Sequence, residues 1–352
     1  MIRKIQLTHK FEDIICLENL LLAWKEFICG KKNRKDVQEF SLRLMDNIFS
    51  LHNELSNHTW KHGGYQAFKI NDPKPRDIHK AKVKDRLLHH AIYRKLYPFF
   101  DKTFIADSYS CRNNKGTHKA IDKFQKYFFK VSKNNTKTCW VLKCDIRKFF
   151  ANIDHEILME ILQDYIPDEN ILKLLEKVIS SFNTSPYPLL EKERGKTGVG
   201  LPLGNLTSQL FVNVYMNKFD QFMKHKIKAK YYIRYADDFI ILSKDKKELE
   251  ESVELIRVFL QNELKLEIHP NKISIETFSS GVDFLGMVNF PKYRILRTKT
   301  KRRILKKIQN KKNDLENGMI SQESFRQSLQ SYLGVLKHCA GWNISEKIEN
   351  LL

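Results

Sequence analysis

Tyr231-Tyr232-Ile233-Arg234-Tyr235-Ala236-Asp237-Asp238-Phe239-Ile240-Ile241-Leu242 decides how this chain reads. The two arms are rich in β-branched and aromatic residues, which suit a pleated, half-buried surface. Only about two or three residues separate them, which leaves room for a tight turn and little else. The stretch therefore predicts a hairpin with adjacent carboxylates at its tip, Asp237 and Asp238. Clustered carboxylates repel one another unless a cation sits between them. Hard oxygen ligands suit Mg²⁺, which takes one or two protein carboxylates and fills its remaining positions with water and phosphate. These are the raw materials of a two-metal phosphoryl-transfer site.

A third carboxylate stands far upstream. Trp140-Val141-Leu142-Lys143-Cys144-Asp145-Ile146 is a short apolar run that reads as a buried strand ending at Asp145. Residues 147–154 leave that strand and read as the start of a helix. A strand-end carboxylate can face a hairpin tip on a neighbouring strand of one sheet. The competing reading is two unrelated acidic turns, since Asp is a common turn residue.

With 352 residues, the chain is long enough for two or three subdomains. Lysine and arginine number 62 against 41 acidic residues, a formal net charge of +21. That surplus points to a polyanionic partner, most simply nucleic acid; a lysine-rich codon bias is the alternative. Between Lys292 and Lys312 there are eleven basic residues and no acidic one. Ile295, Leu296, Ile304, Leu305 and Ile308 interrupt the block at near-helical spacing, so it reads as a basic amphipathic helix rather than a disordered tail. The six cysteines (Cys16, Cys29, Cys111, Cys139, Cys144, Cys339) form no Cys-x-x-Cys pair and read as reduced thiols of a cytoplasmic protein. No apolar run approaches the roughly 20 residues that span a bilayer, and the N-terminus shows no signal-peptide pattern.

Along the chain, periodicity predicts helices over 12–29, 35–55, 83–100, 154–180, 205–224 and 246–264, and a hairpin-like extension with a basic tip over 63–80. Leu206, Leu210, Val214 and Phe222 are core candidates of the 205–224 helix, and Asn205, Thr207 and Ser208 suit its first turn. Gly198-Val199-Gly200-Leu201-Pro202-Leu203-Gly204 is a glycine-rich turn that matches neither common phosphate-loop pattern. Further strands are expected at 265–268 and 282–288. Strands and helices alternate irregularly, so the expected class is α+β with a largely antiparallel sheet.

Several motifs together resemble a known family. Asp145-Ile146-Arg147-Lys148-Phe149-Phe150, Tyr235-Ala236-Asp237-Asp238 and Phe284-Leu285-Gly286 occur in the order and rough spacing of the reverse transcriptases. Asp85-Arg86, Ser110-Cys111-Arg112 and Gly116-Thr117-His118 resemble the fingers motifs of bacterial and group II intron-like members. The resemblance covers about residues 60–340. Gly200-Leu201-Pro202-Leu203-Gly204-Asn205-Leu206-Thr207-Ser208-Gln209 has Leu203 where most members have Gln, and this resembles the enzymes of diversity-generating retroelements. Ser331 to His338 resembles their thumb.

The resemblance implies a right-hand polymerase fold: an N-terminal helical extension (1–60), fingers with part of the palm (61–139), a palm with the catalytic aspartates (140–290) and a basic helical thumb (291–352). It implies that Asp145 and Asp237 bridge two Mg²⁺ ions (Mn²⁺ substituting in vitro), with Asp238 supporting and the Ile146 carbonyl completing one coordination sphere. Nucleotide contacts would come from Lys74, Arg76, Phe149, Phe150, Leu203, Gly204 and Lys272, with Phe150 as a ring that clashes with a 2′-hydroxyl. Solvated loop cations and a core Phe are the alternatives. Nucleic-acid contacts would come from Arg86, Arg112, Tyr235, Lys299, Lys301, Arg302, Arg303 and Lys306, the thumb residues on the template–primer backbone. Arg86 and Arg112 also read as structural salt-bridge residues.

The implied activity is RNA-directed DNA synthesis, copying a template RNA into error-prone, adenine-mutagenic cDNA for a diversity-generating retroelement. The expected partners are template RNA, primer or cDNA, dNTPs and a small basic accessory protein that forms a ring. The main alternative is an antiphage-defence or other group II intron-like reverse transcriptase. A silent RNA-binding scaffold and a palm-domain cyclase are further readings; intact Asp145, Asp237 and Asp238 oppose the first, and the fingers-like and thumb-like basic segments oppose the second. No RNase H, maturase or endonuclease segment is legible, so template removal and target cleavage are expected of other proteins.

Overall fold

The computed structural model describes residues 5–71, 75–182 and 198–349. In chain order these form α1 (Phe11–Ile15), α2 (Leu17–Phe27), α3 (Lys35–Leu42), α4 (Leu44–Ser56), β1 (Tyr65–Ile70), β2 (Arg76–Ala81), α5 (Val83–Phe100), α6 (Thr117–Val131) and β3 (Trp140–Asp145). There follow α7 (His155–Gln163), α8 (Glu169–Ser180), α9 (Leu206–His225), β4 (Tyr232–Tyr235), β5 (Asp238–Ser243) and α10 (Lys246–Leu264). The remaining elements are β6 (Ser274–Thr277), β7 (Val282–Phe284), β8 (Met287–Asn289), β9 (Arg294–Leu296), α11 (Thr298–Glu316), α12 (Gln322–Leu336) and α13 (Trp342–Glu349). Helices mixed with three antiparallel sheets make the class α+β, as expected.

The chain divides into two compact units. The first comprises residues 1–111, 146–228 and 255–269, and is mostly helical. Here α2 packs on α5, α5 on α9, and α7 on α8 and α9. α9 carries most of the core, with Leu210, Phe211, Val214, Tyr215, Met216, Phe219 and Met223 buried. Leu206 and Phe222, expected there, are only half-buried; the Phe222 ring instead stacks on Phe259 at 4.0 Å.

Three expected long helices are broken in this unit, each for a local reason. The 12–29 helix is interrupted at Cys16, whose ψ of 146° is extended. Asn19 Nδ2 takes up the Ile14 carbonyl left over at the break, at 2.8 Å. The 35–55 helix breaks at Arg43, where Asn47 Nδ2 caps the Phe40 carbonyl at 3.0 Å. The 154–180 helix becomes α7 and α8, because Pro167 lacks a donor and disfavours helix at the residue before it. Asp168 then restarts the helix by accepting from the Asn170 and Ile171 amides at 2.9 and 3.0 Å. The start of a helix expected after Asp145 is a single 3₁₀ turn, Phe149–Asn152.

The second unit comprises residues 112–145, 229–254 and 270–352. Its four-stranded sheet has the order β4-β5-β3-β6, antiparallel throughout. Val141, Leu142 and Cys144 of β3 and Phe239 to Leu242 of β5 are buried. α6 packs on β4 and β5, burying Ala120, Ile121, Phe124, Tyr127, Phe128 and Val131. The Phe128 ring stacks on Phe278 at 4.0 Å just beyond β6.

Two strand expectations are corrected here. Residues 265–268 form no strand: Lys265 turns left-handed at φ 48°, and Ile268 makes only one bridge, to Ile146 within the first unit. The edge strand is β6, paired to β3 by Lys143 with Ser274 through Trp140 with Thr277. The single strand expected over 282–288 is a hairpin of β7 and β8, turned at Leu285-Gly286, where both residues have positive φ. The basic helix is present as α11 but begins only at Thr298: Ile295 and Leu296, expected on its apolar face, lie instead in β9, paired to β8, and the helix runs on to Glu316 with Ile304 and Ile308 as its buried stripe.

Asp168 ties three amides at once: those of Asn170 and Ile171, and that of Phe11 at 2.9 Å. Asp168→Ala should therefore cost about 1–2 kcal/mol, read as a lowered urea midpoint with an unchanged slope.

Candidate active site

Asp145 is the last residue of β3 and Asp238 the first of β5, and the two are register partners. Directly opposed residues share one face of the sheet, with Cβ atoms about 5 Å apart. Slipping either strand by one residue would turn its side chains to the other face of the sheet and separate the two carboxylates. The hairpin links Tyr235 to Asp238, also register partners, through Ala236 and Asp237 alone. Ala236 has φ 56°, a conformation that favours glycine in such turns. Arg234, fully buried, donates from Nη1 to the Ala236 carbonyl at 3.1 Å and so braces the turn. The Thr117 hydroxyl donates to the Tyr235 hydroxyl at 3.1 Å, which fixes that ring beside the tip.

The electrostatics follow from this arrangement. The Asp238 carboxyl is pushed up to about 7, first by burial and then by the charges of Asp237 and Asp145; Lys143 and Lys272 pull it back. Lys143 lies two residues before Asp145 on the same face of β3, and its Nζ donates to the Asp283 carbonyl at 2.6 Å. Lys272 ends a 3₁₀ turn, Pro270–Lys272, and its Nζ lies 2.7 Å from Asp145 Oδ1. Half-buried, mutually repelling carboxylates with two compensating lysines have the donor chemistry that hard divalent cations take. Among the described residues no group of three His, Cys, Asp or Glu side chains is already set to hold an ion.

The other expected nucleotide residues lie in the first unit. The glycine-rich turn runs alongside the 3₁₀ turn: the Leu201 amide donates to the Phe150 carbonyl at 2.8 Å and that of Gly200 to Ile153 at 2.7 Å. Phe149 is buried and Phe150 half-buried, with their rings edge-on at 5.6 Å. The Leu203 carbonyl accepts from the His79 amide at 2.9 Å, which docks β2 onto the turn. Gly204 has φ 105°, and a Cβ there would lie 2.9 Å from Ile78 Cγ2, so only glycine allows this approach. Asn205, expected in the first turn of α9, stands at its N-cap without a side-chain capping bond and donates its side-chain amide to the His79 carbonyl at 3.1 Å. Arg76 is exposed at the start of β2. Lys74 falls outside the described residues. Ile146 follows Asp145 directly and is buried.

Arg86 is committed inside the first unit, ion-paired to Asp36, which Lys80 also contacts at 2.7 Å. Arg112 is half-buried. Lys299, Lys301, Arg302 and Lys306 are exposed on α11, and Arg303 is half-buried beside them. Arg234 and Lys143 were not expected at the site, and Thr117 was expected only within the fingers-like Gly116-Thr117-His118 motif. The signal for Arg234 was a charged residue inside an apolar strand; for Lys143 it was its alternation with Asp145.

The family model described as reverse transcriptase (RNA-dependent DNA polymerase) matches residues 69–289, well over half of the chain, and the chain belongs to that family. Its fold is accordingly the right-hand polymerase fold, with an antiparallel sheet carrying the hairpin. Among curated relatives, protein YkfC of Escherichia coli K12 is 25% identical over 236 residues, 58% of this chain and 60% of its own length. The group II intron-encoded protein LtrA of Lactococcus lactis subsp. cremoris is 23% identical over 280 residues, 62% of this chain and 45% of its own length. The chain thus spans less than two thirds of either relative's length. A telomerase from Candida albicans, solved with a TWJ fragment of telomeric RNA, aligns over 78% of this chain and 54% of its own, with a TM-score of 0.49 and 12% identity. That likeness is too distant to inform the site.

Because the folded state holds the Asp238 proton more tightly than the unfolded chain, metal-free protein should lose stability as pH rises from about 4 through about 7. In EDTA, Asp238→Asn should therefore melt at a higher temperature than wild type at pH 8, and the difference should vanish near pH 4.

Proposed function

We propose that this chain is an RNA-directed DNA polymerase that copies a structured template RNA into cDNA. The observation that carries the reading is the register pairing of Asp145 with Asp238 beside the Asp237 turn, in a chain of reverse transcriptase family. Asp145 and Asp237 would hold two Mg²⁺ ions, with Asp238 and the Ile146 carbonyl in support. When bound, the ions would acidify the primer 3′-hydroxyl and neutralise the leaving pyrophosphate. Arg76, Lys74 and Lys272 would meet the triphosphate, Arg by bidentate contact. Phe149 and Phe150 would lie under the sugar, and Leu203-Gly204 near the nascent pair. Tyr235, Arg112 and the exposed cations of α11 would follow the template–primer backbone. Arg86, already neutralised by Asp36, would act on that surface mainly by holding the first unit together.

On this reading residues 1–60 are an N-terminal extension, 61–139 fingers, 140–290 palm and 291–352 thumb, in a cytoplasmic enzyme. The substitution of Leu203 for the usual Gln supports the finer assignment to a diversity-generating retroelement. Leucine can make no hydrogen bond at the nascent pair, so geometric checking is loosened and copying errs, chiefly at template adenines. A small basic ring-forming accessory protein would be the partner in that system.

Primer extension on an RNA template with Mg²⁺ tests the activity: wild type should extend, and Asp237→Asn should fall by at least about a hundredfold. Sequencing cDNA from wild type and Leu203→Gln tests the finer assignment. Fewer errors at template adenines are expected in the variant; identical spectra would reject it.

A further inference from the structure

Lys272 and a divalent ion have claims on the same oxygen. Its Nζ lies 2.7 Å from Asp145 Oδ1, and the side chain is still 40% exposed. The backbone there is held firmly: two residues on, Ser274 pairs with Lys143 of β3. The four-carbon stem is nevertheless free to swing, and an ammonium is a compact charge that can rotate to a new acceptor. Lys143, the other lysine at the carboxylates, is tied to the Asp283 carbonyl at 2.6 Å and is half-buried. One lysine is thus anchored, and the other is movable and seated on a proposed metal ligand.

We infer that Lys272 is a placeholder cation, which neutralises Asp145 in the metal-free protein and is displaced when a divalent ion binds. The inference rests on the polymerase reading above and adds to it an order of events. Without an ion, the ammonium relieves the repulsion between Asp145 and the Asp237–Asp238 turn. An ion that takes Asp145 sets the ammonium loose at the mouth of the carboxylate cluster, where a triphosphate would need a cation. Ion binding would therefore strengthen nucleotide binding through Lys272, and by linkage nucleotide would strengthen ion binding. An ion and the ammonium compete for Oδ1 and repel each other as like charges, so removing the lysine removes a competitor.

The test is a nucleotide-free titration with Mn²⁺, followed by the paramagnetic signal of the free ion. Lys272→Gln should bind Mn²⁺ about two- to fivefold more tightly than wild type, the range set by a partly exposed ion pair. Lys272→Arg, which keeps the charge, should bind as wild type does. Affinity in Lys272→Gln that is equal to or weaker than wild type overturns the inference. A second measurement uses the wild-type protein alone: the rate at which an acylating reagent labels Lys272, read by mass spectrometry. Mg²⁺ should raise that rate about twofold or more, because a displaced amine on a flexible stem is more open to the reagent; an unchanged or lower rate counts equally against displacement. Primer extension separates the two levels of the argument. A wild type that extends primers while failing both measurements rejects only the placeholder. A wild type that neither extends primers nor binds Mn²⁺ rejects the polymerase reading and the placeholder with it.

Discussion

Like charges placed directly across a β-ladder repel, and this protein places Asp145 against Asp238 with Asp237 beside them. Everything around the hairpin answers that constraint. The six-residue ladder of β3 and β5 sets the register that holds the carboxylates opposite one another. Lys143 and Lys272 supply positive charge from the same side of the sheet. Where burial and like charge push a carboxyl up to about 7, the site has a standing demand for cations. On the proposed function, divalent ions meet that demand.

The tip itself is held under strain. Ala236 occupies a left-handed conformation that costs a non-glycine residue about 1 kcal/mol or more. Arg234 offsets it from within the core by holding the Ala236 carbonyl. Such strain persists only where the surroundings over-determine it, and it gathers at functional sites. The glycine-rich turn of the first unit works by a different device. Gly204 lets β2 approach closely, and the His79 backbone is held on both its amide and its carbonyl by Leu203 and Asn205. The Leu203 position is thereby fixed by main-chain bonds, which leaves its side chain open to variation without loss of the turn.

Local chemistry made much of this legible in advance. The hairpin, β3, α5, α9 and α10 follow from runs and periods that survive any packing. The misses share one cause: competition that acts over a few residues. Asn19 and Asn47 satisfy broken helix carbonyls with side chains, and Pro167 with Asp168 stops one helix and starts another, none of which alters the apolar rhythm across the break.

The residue types alone determined that carboxylates would crowd a hairpin tip, that a basic helix would follow, and that the class would be α+β, since turn length, periodicity and charge are properties of neighbours in the chain. Only the tertiary structure decided that Asp145 stands opposite Asp238, that Arg234 turns inward to brace Ala236, that Arg86 is absorbed by Asp36, and that Lys272 sits on Asp145. Those are encounters between residues far apart in sequence, chosen by strand register and side-chain burial, and no local pattern encodes them.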